Sequence, residues 1–252
     1  DDNNGYIDDY KGYDVGNSDG NPNPPNNRNL NHFNHGSHVA GIAAGETNNN
    51  KGISSIGFNT SIIPIKASKD NSNGSSITNA LEGIEYSIII GADIVNMSFG
   101  GGWPSQTVED LIDYGYSQNM IFVAAAGNDN SLRVNYPAGY KNVVAVASTD
   151  QLNKKSNFSS YGSFVDICAP GTTIFSCVAK DTNLYEFKSG TSMAAPIVSG
   201  VCALLKGLNP HLTNNDIINC IKQSALNIYP NNPAYQGLLG SGLIDAENAL
   251  KC

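Results

Sequence analysis

The stretch "IVNMSFGGGWPSQTVEDLIDYGYSQNMIFVAAAGN", residues 94–128, decides the fold. It opens on a short β-rich run, "IVNMSF" (94–99), passes through the amphipathic segment "SQTVEDLIDYGYSQN", and ends on "IFVAAAGN" (121–128), a nearly continuous apolar run. A strand that is apolar at successive positions is buried on both faces, the situation of a parallel sheet covered by helices. Outward from this core the pattern repeats. "SIIPIKAS" (61–68) precedes "SSITNALEGIEYSIIIG", where Ile77, Leu81, Ile84 and Ile88 fall three or four apart, as on one helix face. "VVAVAS" (143–148) reads as another buried strand, and after "VDICAPG" come a long helix, roughly 192–207, and a shorter one, roughly 213–225. Strand-then-helix units of this kind predict an α/β fold with a mostly parallel sheet, helices on both faces, and one domain over residues 1–252.

Composition narrows the function classes. The chain has 252 residues, 14 Lys and Arg against 22 Asp and Glu, and a net charge of -8. Its basic residues are scattered, which argues against nucleic acid or an anionic membrane as partner. No uninterrupted apolar run reaches the roughly 20 residues of a membrane span. Residues 1–60 and 209–236 are rich in Asn, Gly and Pro, as in "GNSDGNPNPPNNRNLN", a composition that suits turns and solvated loops. Cys168, Cys177, Cys202, Cys220 and Cys252 show no CxxC pair and no metal-ligand spacing, and we read them as buried free thiols.

In open parallel sheets, chemistry collects at the carboxyl ends of the strands, and three segments follow strands or open helices there. In "KSGTSMAAPIVSGVCALL" (188–205), Pro196 is best tolerated in a helix's first turn, so the helix starts near Ser192. Ser192 then has a hydroxyl beside a backbone N–H without an intrahelical partner, although Ser189, Thr191 or Ser192 could equally be a plain helix cap. In "AAAGNDN" (124–130) a glycine turns the chain and leaves Asn128 at a strand end, where its amide could donate to an oxyanion or merely complete a turn. "NHFNHGSHVAGIAAG" (31–45) holds His32, His35 and His38. Residues at i, i+3 and i+6 fan too widely around a helix to converge on one metal, and no HExxH pattern is present. A lone imidazole acting as general base needs only a hydroxyl and a fixed tautomer, and His35, followed by Gly36 and small residues, suits that role. His211 in "LNPHLT" reads as a loop residue between helices.

"NHGSHVAGI", "VNMSFGG", "AAAGN" and "GTSMAAP", in this order, resemble the signatures of subtilisin-like serine proteases over essentially the whole chain. The resemblance implies a subtilisin-like fold and a serine endopeptidase acting on peptides or proteins, secreted or extracytoplasmic, with a propeptide as a further partner. It implies that Ser192 is the nucleophile, His35 the general base, and Asn128 the side-chain oxyanion donor. It also implies that Ser98, Phe99 and Gly100 run along the substrate backbone and form one wall of the pocket for the residue before the cleaved bond, that Ala126 and Gly127 also bind substrate, and that Asn135 sits near the pocket floor, where relatives often have glycine. Chain order agrees, since an α/β-hydrolase would show G-x-S-x-G with its histidine later.

The resemblance also requires an acid from an earlier strand ending in Asp-Ser/Thr-Gly. None of Asp1, Asp2, Asp8, Asp9, Asp14 and Asp19 follows an apolar run or precedes Ser/Thr-Gly. The expectation is a fragment whose Asp-bearing strand lies upstream of residue 1, with little activity alone. A non-catalytic peptide-binding protein is the alternative. The opening itself offers a calcium loop: Asp2 and Asn4 supply oxygens, Gly5 a sharp turn, Tyr6 its carbonyl, and Asp8 or Asp9 follow, although the closing Glu is absent and a solvated acidic turn has the same composition.

Overall fold

A computed structural model describes residues 4–25, 33–179 and 184–252. In chain order the first elements are β1 (Tyr13–Asp14), α1 (His35–Ala44), β2 (Ile65–Lys66), α2 (Ala80–Ile89), β3 (Ile94–Met97) and α3 (Gln106–Ser117). They are followed by β4 (Ile121–Ala125), β5 (Val143–Thr149), β6 (Ile167–Pro170), β7 (Ile174–Cys177), β8 (Tyr185–Lys188), α4 (Thr191–Leu208), α5 (Asn214–Gln223) and α6 (Ala246–Ala249).

Strands β3-β4-β5-β6 form a parallel sheet in that order, with Val95 opposite Phe122, Val123 opposite Val144, and Ala147 opposite Cys168. Every residue of β4 and β5 is buried, and the reason lies in the two-residue period of a strand. Ile121, Val123 and Ala125 face a core built with Val198, Val201, Cys202 and Leu205 of α4 and Ile217 and Ile221 of α5. Phe122 and Ala124 face the other way, onto Ile84 of α2 and Ile112 of α3. The sheet is therefore covered on both sides, as the apolar runs require. α4 crosses all four strands. By length and mean hydropathy (1.4) α4 could cross a membrane, but 61% of it is buried inside the protein, as befits a core helix.

Several expectations need correction. "SIIPIKAS" yields a strand only at Ile65–Lys66, paired in parallel with β1 apart from the main sheet; Pro64 has no N–H for a ladder, and Ile62 and Ile63 are exposed. Ile77 lies outside α2 because the N–H groups of Thr78 and Asn79 both donate to Ala67 O, holding the chain in a loop until Ala80. The Asn-rich opening is not all solvated: Tyr13 and Val15 are buried, and Tyr6, Tyr13 and Tyr86 pack ring against ring. The cysteines are not all free. Cys220 of α5 is disulfide-bonded to Cys252, while Cys168 and Cys202 are buried thiols and Cys177 is half-buried.

Candidate active site

Ser192 is the second residue of α4, and Pro196 lies inside the same helix. A proline four residues on has no N–H to give to the Ser192 carbonyl, which is thus left without its intrahelical donor. Ser98, just beyond the carboxyl end of β3, fills the vacancy: its hydroxyl donates to Ser192 O at 2.8 Å, and Ser192 Oγ donates back to Ser98 O at 3.0 Å. The Ser98 hydroxyl accepts in turn from Asn96 Nδ2 at 2.8 Å, and Asn96 Oδ1 accepts from Ser199 Oγ, one helix segment further along α4, at 3.0 Å. The serine is therefore held by the sheet as well as by its helix.

Asn128 follows β4 and the turn at Gly127. Its Oδ1 accepts from the backbone N–H of Thr191 at 2.9 Å and from Thr191 Oγ1 at 3.0 Å, which leaves Nδ2 free to act as a donor. A β-carbon placed on Gly190 would sit 3.7 Å from Asn128 Nδ2 and equally 3.7 Å from the Ser192 backbone nitrogen. The two nitrogens thus approach one point at Gly190, as does Met193 Sδ at the same 3.7 Å, at the amino end of an 18-residue helix whose dipole favours negative charge.

His35 opens α1, which packs against α4. Val39 and Ile42, four and seven residues on and therefore on the same helix face as His35, pack against Met193 next to Ser192. Gly41 allows the close approach of α1 to the β7–β8 hairpin, since a side chain there would collide with Ser176 and Cys177. Desolvation by surrounding atoms, followed by the Lys188 ammonium and His38, lowers the His35 pKa from the ordinary imidazole value. The residue keeps an exposed surface where water tempers the shift, so its direction is what bears on chemistry. No hydrogen bond joins His35 to Ser192 Oγ, which faces Ser98 O instead, and among the described residues no carboxylate shifts the ring. His38 is fully buried with Nε2 3.1 Å from Glu186 O, a structural role, and His211 is exposed between α4 and α5. His32 and Asp2 lie outside the described residues.

Asn135 brings together the two segments expected to flank substrate. Gly100 has neither its N–H nor its C=O engaged by a described residue, whereas Gly101 exchanges two backbone bonds with Tyr136 at 2.8 and 2.7 Å. Phe99 packs partly into the core under α2 and α3. In the other segment, Ala126 is fully buried, and Gly127, at φ 111°, leaves no room for a side chain because Asn135 Nδ2 occupies that space. Asn135 donates to Ala126 O at 3.0 Å and is 8% exposed, and its Cβ is 3.8 Å from where a Gly100 side chain would begin. It therefore lies between the 98–100 and 126–127 segments. Trp103, the chain's one tryptophan, is 85% exposed.

In the opening loop the described side chains bond to one another. Asn4 turns its amide nitrogen to Asp9 Oδ2 at 2.9 Å and its oxygen to the Tyr6 N–H at 2.7 Å. Asp9 also takes the Tyr86 hydroxyl at 3.0 Å, with Asp8 at φ 60° in the turn. Among the described residues no group of three or more His, Cys, Asp or Glu could hold a metal.

The sequence profile of the subtilase family matches residues 2–242. The chain belongs to the subtilase family. Among relatives of this subtilase, thermitase of Thermoactinomyces vulgaris is 43% identical over 66% of the chain and 58% of its own length. Halolysin of Haloferax mediterranei is 40% identical over 95% of the chain and 44% of its own length. The chain thus spans about half the length of these curated relatives. Its fold is shared with a protease structure from Pseudoalteromonas arctica at TM-score 0.77 and 31% identity, covering 86% of this chain and 70% of that one. The prenylagaramide maturation protease matches at TM-score 0.76 and 26% identity, covering 91% and 89% of the two chains.

Reading the motifs named Ser192, Asn128 and His35 as candidates but gave no part to Thr191, which orients Asn128, or to Asn96 and Ser199, which orient Ser98. One signal was present: Pro196 four residues after Ser192 announces a carbonyl that needs a donor from elsewhere.

Proposed function

We propose that this subtilase domain is a serine endopeptidase in which His35 takes the proton of Ser192 Oγ as the oxygen attacks a peptide carbonyl. The new C–O bond pushes the carbonyl electrons onto oxygen, where Asn128 Nδ2–H and the Ser192 N–H receive the charge. Collapse expels the amine, protonated by His35, and water then hydrolyses the acyl-enzyme. The observation that carries the reading is the approach of the two nitrogens to one point at Gly190, with the Asn128 amide fixed by Thr191. Ser192 must swing from Ser98 O toward His35 in the reactive state, a tightening common to catalytic hydrogen bonds when substrate arrives.

A substrate strand would pair with the unengaged backbone of Gly100, the mode of β-augmentation. The side chain before the cleaved bond would meet Asn135, so small residues are favoured there over large aromatics. The imidazole also needs an acid to hold its tautomer, and no described carboxylate does so. In subtilisin, loss of that acid alone costs about 3 × 10⁴ in turnover, against about 2 × 10⁶ for the serine or histidine. The 252 residues alone are accordingly expected to turn over peptides slowly. The Cys220–Cys252 disulfide fits an oxidising compartment outside the cytoplasm. Calcium remains a proposal of resemblance that takes no part in this mechanism, and so does a propeptide.

A fluorophosphonate probe tests the reading: covalent labelling at Ser192 that disappears in Ser192→Ala supports it. Peptide binding without any labelling would leave a peptide-binding protein in its place.

A further inference from the structure

The hairpin β7–β8 does two things at once. It leads through Ser189 and Gly190 into Ser192, and it grips the first turns of α1. Ser176 Oγ donates to His38 O at 2.8 Å, Cys177 Sγ to Ser37 O at 3.3 Å, and His38 Nε2 lies 3.1 Å from Glu186 O.

One contact in this grip is unusual. Asn34 is the N-cap residue of α1, a position where an asparagine side chain ordinarily accepts from the backbone N–H two or three residues on. Here it makes no capping bond. Although only 2% exposed, it turns its Nδ2 to Glu186 Oε1 at 3.1 Å. The same Glu186 oxygen takes the Lys188 ammonium at 2.6 Å, the two side chains sharing one face of β8. A helix that forgoes a cap of about 1 kcal/mol in favour of a cross-strand carboxylate has its starting residue fixed from outside.

We propose that Glu186 is a positioning residue for His35: its carboxylate anchors Asn34, and with it the first turn of α1, while neutralising the lysine beside the imidazole. This rests on the reading of His35 and Ser192 as a catalytic pair. Among the described residues, the charged and titratable groups bearing on His35 are Lys188 from β8 and His38 from its own helix, and the first turn of α4 brings no acidic residue. Glu186 is the carboxylate that answers Lys188, and it raises the pKa of His38 where Lys188 lowers it. Removing the negative partner would let the ammonium disfavour the imidazolium, whereas removing the ammonium would favour it.

The test uses the full chain and three variants, Glu186→Gln, Glu186→Ala and Lys188→Met, read by the NMR titration of the His35 Cε1–H and by the rate of fluorophosphonate labelling at Ser192. Glu186→Gln keeps an acceptor for Asn34 but frees the lysine charge, so His35 should titrate at lower pH than in the parent, and Lys188→Met at higher pH. Glu186→Ala, which also releases Asn34, should slow labelling about tenfold, the order expected when a base loses its alignment. Opposite displacements in the first two variants uphold the inference even if Glu186→Ala does not fold. An unchanged His35 titration in both, or wild-type labelling in a folded Glu186→Ala, would overturn it. Failure of the parent protein to label at Ser192 would count against the catalytic reading instead, while the titrations still decide the Glu186–Lys188 arrangement.

Discussion

Ser98 serves Ser192 because Pro196 cannot. Replacing Ser98 with alanine leaves the Ser192 carbonyl without a donor at a mostly buried site, and the expected loss is about 1–3 kcal/mol of unfolding free energy. In a Pro196→Ala background the helix regains its own N–H, and the cost of Ser98→Ala should shrink. A double-mutant cycle by chemical denaturation checks this, and equal costs in both backgrounds would refute the exchange of donors. His38 carries a second prediction. It is fully buried, and desolvation, opposed by the backbone contact with Glu186, lowers its pKa below the ordinary 6.5. A group whose folded pKa is depressed contributes stability above the unfolded value and loses it as pH falls toward the folded one. Stability should therefore be level above pH 6.5 and decline below it, by at most about 1.4 kcal/mol per pH unit for each such histidine. A denaturation midpoint unchanged from pH 7 down to 5 would be inconsistent with this. At this scale the proposed trio of Ser192, His35 and Asn128 could be named because each member sits in a local motif; Thr191, Asn34 and Glu186 could not, because their contacts join distant parts of the chain.

Among elements, α4 was readable almost to its ends, Thr191–Leu208 against an expected 192–207, because a proline marks its first turns and an apolar face its length. The strand at Ile65–Lys66 was overestimated, since apolar residues beside Pro64 carry no information about whether a ladder partner exists. The β7–β8 hairpin was missed, because its alternate residues are half-exposed and its antiparallel pairing leaves no mark in a chain otherwise read for parallel strands. The disulfide was also missed, since spacing alone does not pair cysteines. It closes a loop with a sequence separation of 32 residues between α5 and the segment after α6. Chain-entropy reasoning gives a cross-link of this size about 3–4 kcal/mol, so Cys252→Ser should lower the unfolding free energy by up to that amount, and reductant should do the same to the parent. Loss of less than about 0.5 kcal/mol would mean that α5 and α6 hold the terminus without it.

At the scale of the molecule, the order β3-β4-β5-β6 places both faces of β4 and β5 out of contact with water, and this much was foretold by their unbroken apolar runs. Burial also sets the chemistry of two thiols: desolvation pushes the pKa of both Cys168 and Cys202 up to about 12, one on β6 and one on α4. Thiolate is the reactive form, so neither should react with a thiol reagent at neutral pH while the fold is intact. Half-buried Cys177 should be modified first, the other two only as denaturant opens the core, with the modified positions identified by mass spectrometry. Prompt reaction of Cys202 in native protein would show that α4 leaves the sheet far more readily than its packing allows.

The lone indole has a practical corollary for anyone watching this protein by light. Trp103 already faces solvent in the native state, so its emission should barely change colour when the chain denatures, and a melting curve followed by that signal would miss the transition. The same ring lies three residues past Gly100, and under the proposed pairing of a peptide with that backbone its emission is expected to shift toward the blue, making it a sensor of occupancy and almost blind to folding.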